Sequence, residues 1–262
     1  MPLSKEQIAQ VSGELIEAEK SCCPVVALTE RFPDVSYEDA YAIQLKTFDT
    51  LVKSGAVIVG KKIGLTSKAM QDQMNIREPD YGMIVDRMVA REGAPIPMSS
   101  LILPKIEPEL AFLLKEDLKG PGITVANVLE ATEGVLPAFE VIDSRYKDWK
   151  ITVKDSISDN ASAALMILGG KLTPITDIDL RYVGLVLEKN GSLVSTAAGA
   201  AVLGNPAQSV AWLANKLTEY GISLKKGEFV MSGSFVQAVN VEAGSSLRAT
   251  FDRIGSVSVS FE

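Results

Sequence analysis

Glu107 and Glu109 stand at the head of an apolar run in KIEPELAFLLK, residues 105–115. In a strand, residues two apart share a face, so Glu107, Glu109, Ala111 and Leu113 fall on one side. The two carboxylate-bearing positions are then ~7 Å apart, at ~3.3 Å per residue. A third acidic residue, Glu140, interrupts LPAFEVID with Leu136, Ala138 and Ile142 on its own face, and Asp143 follows on the opposite one. Buried without a partner, each carboxylate would cost several kcal/mol or take up a proton. One reading is a solvated strand face. The other is a divalent cation held by oxygens alone. With no histidine and only the adjacent Cys22 and Cys23, the ligand set is hard and suits Mg²⁺ or Mn²⁺, leaving positions open for water and substrate. Such an ion chelates an α-oxo carboxylate and acts as a Lewis acid on its enol.

A second constellation is GKKIGLTS followed by REPDYG. A lysine in Gly60-Lys61-Lys62-Ile63-Gly64 can be held close to backbone and substrate, where desolvation lowers its pKa and fits it for acid or base work. The alternative is a surface loop with solvated lysines. Asp80, after Pro79, is a candidate proton carrier or an ordinary turn residue. A phosphate loop is not supported, because the order GxxxxGK[ST] is missing. The absence of histidine excludes Ser-His-Asp and Cys-His mechanisms and leaves Lys, Asp, Glu, Tyr or a metal-bound water to move protons.

The elements that must position these groups follow from periodicity. Ile8, Val11, Leu15 and Ile16 at helical spacing, with Ser4 three residues before Gln7, predict a capped first helix. Ser36, an acidic first turn, the stripe Ala40, Ile43, Phe48, Leu51 and the stop Gly55 predict a second. AVIVGKKIGLT reads as a short strand. From about residue 83 come short strands broken by Gly, Pro and Asp: MIVDRMVA, KIEPELAFLL, LPAFEVIDSR, YVGLVLEKNGSLVSTA, GEFVMSG, AVNVEAG, SLRATF and SVSVSFE. Asn190-Gly191 marks a hairpin. Helices are expected at TVANVLEATEG and at NPAQSVAWLANKLTEYG, the latter with Asn205 as cap and Pro206 at the first position. Pro108 cannot donate to a ladder, which predicts an edge strand or a bulge at that point. The pattern is α+β, with residues 1–82 as an N-terminal α/β part and 83–262 as a β-rich catalytic core.

Twenty-six basic against 33 acidic residues give a net charge of -7, the wrong sign for a phosphate-backbone binder, so no nucleic-acid partner is expected. No apolar stretch approaches the ~20 residues of a bilayer span, and MPLSKEQIAQ lacks the apolar core of a signal peptide. A soluble, cytoplasmic protein without membrane contact is the expectation.

The strings VGKKIGLTSKAMQ, PDYG, PKIEPELAFLL, PAFEVIDSRYKDWKI, SDNAS, LEKNGSLVSTAAGAAVLGNPAQSVAWLANKL and GEFVMSGS, in this order from about residue 35 to the C-terminus, resemble the fumarylacetoacetate hydrolase superfamily. The resemblance is to its bacterial branch of 2-hydroxypenta-2,4-dienoate (2-oxopent-4-enoate) hydratases and 4-oxalocrotonate decarboxylases of aromatic meta-cleavage pathways. It implies a fumarylacetoacetase-like mixed β-roll core with a small helical N-terminal part, a Mg²⁺ or Mn²⁺ ion and a small 2-oxo acid substrate. It assigns the metal to Glu107, Glu109 and Glu140, and places Lys62 in the site while Lys61 takes the variable position. Ser162 of DNAS and Ser234 of the Ser-Gly-Ser loop would line the pocket, and Asp80 would assist Lys62 in proton transfer. GKKIG, PDYG and the Ser-Gly-Ser turn resemble the hydratases, which give 4-hydroxy-2-oxopentanoate. GLTS, DSRY and AAVLGNPAQSVA are also compatible with the alternative, a 4-oxalocrotonate (2-oxo-3-hexenedioate) decarboxylase. The same resemblance implies a homo-oligomer, which can associate with the partner enzyme of the pathway.

Overall fold

The computed structural model describes residues 2–67, 71 and 78–262. Residues 68–70 of the VGKKIGLTSKAMQ string and Arg77 of REPDYG lie outside them. The α-helices whose full extent is described are α1 (Lys5–Ser21), α2 (Leu28–Arg31), α3 (Tyr37–Lys53), α4 (Val125–Ala131), α5 (Val153–Ser158) and α6 (Pro206–Leu217). The strands are β1 (Ile58–Gly64), β2 (Asp80–Val85), β3 (Val89–Ala90), β4 (Lys105–Leu114), β5 (Thr132–Ile142), β6 (Ala163–Leu168), β7 (Gly184–Lys189), β8 (Ser192–Ala198), β9 (Phe229–Met231), β10 (Val239–Asn240), β11 (Ser246–Phe251) and β12 (Gly255–Ser260).

Both N-terminal helices begin as their sequences predict. Ser4 Oγ accepts from Gln7 N while the Gln7 side chain accepts from Ser4 N, and Ser36 and Asp39 repeat the exchange at α3. Val11 and Leu15 of α1 pack with Ile43 of α3, Leu28 and Tyr146. Further along α3, Phe48 and Leu51 turn to the sheet, against Met83, Ala111, Ala138 and Met231.

The larger sheet is mixed and runs β2-β1-β9-β4-β5-β6-β3, with β10 also paired to β4. β1 pairs parallel to β9 and β3 parallel to β6; the other neighbours are antiparallel. Residue 82 lies inside β2, and this sheet takes strands from both sides of it. A second sheet, β12-β11-β7-β8, faces it. Asn190 and Gly191, both with positive φ (53° and 76°), join β7 to β8 in the expected hairpin. Between the sheets lies the main core, where Phe112, Phe139 and Ile167 meet Leu185, Leu247, Phe251 and the α6 residues Val210 and Leu213. This is the α+β roll implied by the resemblance. Among the described residues no helix is long and apolar enough to cross a membrane.

Three local expectations need correction. β4 is neither an edge nor bulged at Pro108: its register with β5 runs unbroken from Lys105 to Leu113. On its other side β10 pairs only at residues 105–106 and β9 only at 111–113. Pro108 sits in the gap, where the passing chain donates to β4 (Phe235 N to Pro108 O, 3.1 Å) and asks for no donor in return. The helix of TVANVLEATEG stops at Ala131, because Thr132 to Gly134 already belong to the ladder with β4. MIVDRMVA is divided by a 3-10 turn at Asp86–Met88. β6 and α5 were not expected from periodicity, being short segments inside AALMIL and VKDSIS.

Candidate active site

β4 separates its two faces cleanly. Ile106, Leu110, Phe112 and Leu114 enter the main core, while Lys105, Glu107, Glu109 and Ala111 face the opposite way. β5 does the same with Phe139 and Val141 against Ala138 and Glu140. The register sets Glu107 directly opposite Glu140 and Glu109 opposite Ala138. One carboxylate oxygen from each of Glu107, Glu109 and Glu140 lies within 4.8 Å of the others. The three glutamates therefore form one cluster.

The cluster is short of positive charge. Lys62 Nζ lies 3.2 Å from Glu140 Oε1 in a fully buried ion pair, and Glu109 Oε2 accepts from Gly233 N at 2.7 Å. Glu109 Oε1 and both Glu140 oxygens are buried with no aligned hydrogen-bond donor. Burial, then Glu140, push the Glu107 carboxyl up to about 7. Burial followed by Glu140 and Glu107 holds Glu109 well above the usual carboxylate range, and burial raises Glu140 against the pull of Lys62. Burial alone would lower the Lys62 ammonium, but Glu140, Asp80, Glu107 and Glu109 together hold it above the ordinary lysine value. The two partners of the Lys62–Glu140 pair are raised for different reasons: burial lifts Glu140 further than Lys62 pulls it down, and the several carboxylates around one ammonium lift Lys62. Orphaned, converging, buried oxygens of a hard donor set are what a divalent cation requires, and the residues fit one.

Lys62 reaches this cluster because β1 alternates. Ile63 enters the main core, and Lys61 points away from the cluster into a buried pair with Glu228, Nζ to Oε2 2.6 Å. Gly64 pairs with Asp80 across β1 and β2. A Cβ at Gly64 would lie 2.1 Å from Asp80 Oδ1 and 3.3 Å from Lys62 Nζ, so both side chains converge over a backbone that only glycine leaves bare. Asp80 is buried; its Oδ2 accepts from Ser156 Oγ at 2.9 Å and its Oδ1 has no partner. Burial raises its carboxyl, with Lys62 and then the Ser156 bond pulling the other way. Gly233, which donates to Glu109, has φ 105° and would place a Cβ 2.2 Å from Thr66 Oγ1, so glycine is required there too.

Ser162 follows a strained turn. Asn160, Ala161 and Ser162 all have φ between 50° and 57°, where Ala and Ser are disfavoured by about 1–3 kcal/mol each. Arg145 holds the turn from below with bonds to the Asp159 carboxylate, Asp159 O and Ala163 O. Asn160 holds it from the side, exchanging bonds with Met83 N and O at 2.8 and 2.9 Å. The Ser162 hydroxyl is left buried and unpartnered.

Two cleft lobes meet at Gly64, Leu65, Lys105 and Glu107. One, of 310 Å³, includes Lys62, Asp80, Ser156 and Ser162 in its walls. The other, of 580 Å³, includes Thr66, Ser234 and Phe235; there Ser234 Oγ donates to Val236 O at 2.7 Å. The seven residues singled out by sequence, Lys62, Asp80, Glu107, Glu109, Glu140, Ser162 and Ser234, thus gather around one cleft. Asp143 does not join them: it caps the approach to β4 by accepting from Ile102 and Leu103 N, both at 2.7 Å.

Residues 36–261 match the family model described as Fumarylacetoacetate (FAA) hydrolase C-terminal. The chain belongs to the fumarylacetoacetate hydrolase family. Within that family, the 2-hydroxypent-2,4-dienoate hydratase of Pseudomonas putida is 47% identical over 222 residues, covering 84% of this chain and 100% of its own. The 2-hydroxyhexa-2,4-dienoate hydratase of Comamonas testosteroni is 40% identical over 262 residues, with 99% of each chain covered. Among solved structures, the 4-oxalocrotonate decarboxylase from Pseudomonas putida G7, complexed with magnesium and adipate, superimposes with a TM-score of 0.96 at 39% identity, covering 99% of each chain.

Sequence reasoning missed Ser156, Arg145, Asn160 and Lys105. Lys105 shares the Glu107 face of β4, and its Nζ lies 4.3 Å from the ring centroid of Trp149, whose Nε1 donates to Leu103 O at 2.8 Å. The i, i+2 spacing to Glu107 was the available signal for Lys105; for the others the partners are remote in sequence.

Proposed function

We propose that this chain is a metal-dependent hydratase that adds water to 2-hydroxypenta-2,4-dienoate, giving 4-hydroxy-2-oxopentanoate. Its ion, Mg²⁺ or Mn²⁺, would be held by Glu107, Glu109 and Glu140. When bound, such an ion supplies a Lewis acid for the 2-oxygen and carboxylate of an enol or 2-oxo acid.

The remaining chemistry falls to side chains of the cleft. Lys62, kept charged by the carboxylates around it, presents a positive charge where the 2-oxygen becomes negative. The hydroxyl proton leaves that oxygen and a proton arrives at carbon 5, converting the dienol to an α,β-unsaturated ketone. Asp80, raised by burial and without an aligned partner at Oδ1, is suited to carry it. Water then forms its C–O bond at carbon 4 as the C3–C4 double bond opens, and the proton that this water releases is balanced by the one delivered to carbon 3. Ser162 and Ser234 orient the substrate.

Asp80 carries the choice between hydration and decarboxylation. A buried acid beside Lys62 on the cleft wall serves proton transfer, whereas a second substrate carboxylate next to it would be repelled. The second reading, a 4-oxalocrotonate decarboxylase, is favoured by the 0.96 superposition on such an enzyme. Incubating the protein with Mg²⁺ and either 2-hydroxypenta-2,4-dienoate or 4-oxalocrotonate, while following ultraviolet absorbance and CO₂, separates them. Loss of the dienoate without CO₂ is the expected result; CO₂ from 4-oxalocrotonate with an inert dienoate overturns it.

A further inference from the structure

α5 uses its polar groups in two directions. Asp155 turns back into the protein, accepting from Thr29 N at 2.8 Å, Thr29 Oγ1 at 2.7 Å and Thr152 N at 2.7 Å. Ser158 Oγ is 2.8 Å from Tyr146 OH, and Gln44 Nε2 donates to Ile157 O at 3.1 Å. These bonds fix the helix against α2 and α3. Ser156 is the residue of the helix that reaches Asp80, at the wall of the 310 Å³ lobe.

An Asp carboxyl turns about a broad, nearly two-fold torsion, so without a fixed donor either oxygen could face the cleft. The Ser156 bond is the side-chain contact that selects one orientation: Oδ2 is tied to the helix, and Oδ1 lies against bare Gly64 on the side of Lys62, where the Asp80 and Gly64 amides are near but neither is aligned with it. We propose that Ser156 is a positioning residue for hydration, acting through Asp80 by holding Oδ1 toward the substrate. This rests on the hydratase reading above. Because α5 is anchored through Asp155, Ser158 and Ile157, removing the Ser156 hydroxyl leaves the helix attached, and its catalytic consequence can be read apart from folding.

The test compares the parent protein with Ser156→Ala and Ser156→Thr, all with Mg²⁺ and 2-hydroxypenta-2,4-dienoate, in H₂O and D₂O. For Ser156→Ala, kcat should fall about tenfold, the loss of one hydrogen bond to a carboxyl, while KM stays within about twofold. The solvent isotope effect on kcat should rise as proton transfer becomes limiting, and Ser156→Thr, which keeps the hydroxyl, should restore both. The magnesium-induced rise in Tm should be the same in all three. An alanine variant with parental kcat and isotope effect overturns the role of Ser156 alone. A parent protein inert toward the dienoate overturns the hydratase reading and this inference with it.

Discussion

Glu107 and Glu140 stand directly opposite each other on neighbouring antiparallel strands, inside a buried face that also carries Glu109. Like charges in opposed positions destabilise a sheet. Lys62 answers only part of that charge, so the fold holds an arrangement that stability alone disfavours and a cation relieves.

The first consequence is a pH-dependent stability. Glu107 has a folded-state pKa pushed up to about 7 from an ordinary 4.5. A group raised in the folded state contributes stability that is fully present below its unfolded value and is lost as pH rises through its folded one. Without divalent metal, stability should therefore decline by about 1–3 kcal/mol between pH 5 and 8, the lower end reflecting the partial exposure of Glu107. Magnesium should remove most of that decline, because it binds the deprotonated form. Thermal melts with EDTA and with Mg²⁺ across this range measure both.

Glu109→Gln and Glu140→Gln should change metal-free stability in opposite directions. The first keeps an oxygen for Gly233 N and removes a carboxyl whose ionisation burial and its glutamate neighbours oppose, raising Tm by roughly 2–4 °C, the equivalent of ~1 kcal/mol. The second leaves the Lys62 ammonium buried without its partner and should lower Tm. Paired melts in EDTA decide the matter, and a fall in both would argue against like-charge crowding.

Gly64→Ala should damage the cleft. Its methyl would occupy the place of Asp80 Oδ1, 2.1 Å away, and displace it from Lys62. Dienoate turnover should fall by about 100-fold or more, the lower range for a lost acid or base, while Mg²⁺ still raises Tm because the glutamates are untouched. Steady-state kinetics beside melting curves check this.

Much of the site was legible because alternation is local. KIEPELAFLLK and LPAFEVID each fix which face their glutamates share, and the observed faces are those. What alternation cannot supply is register. That Glu107 meets Glu140, and Gly64 meets Asp80, depends on strand pairing between segments more than ten residues apart. Pro108 misled for the same reason: a missing donor shows only that no ladder forms on that side at that residue, and here a loop passes between the short pairings of β4 with β10 and β9. Ser156 carried no signal, since a serine in VKDSIS has no periodic meaning until α5 is folded against β2. The DNAS turn was recognised through its resemblance, yet its three left-handed residues depend on Arg145, a clamp visible only in three dimensions.

The claim that Glu107, Glu109 and Glu140 hold a divalent ion is tested most directly by titrating metal-free protein with Mn²⁺ and counting bound ions by electron paramagnetic resonance. The parent chain should bind one ion, and the double variant Glu107→Gln with Glu109→Gln should bind at least about 100-fold more weakly. Equal affinity and stoichiometry in the two proteins would contradict the account.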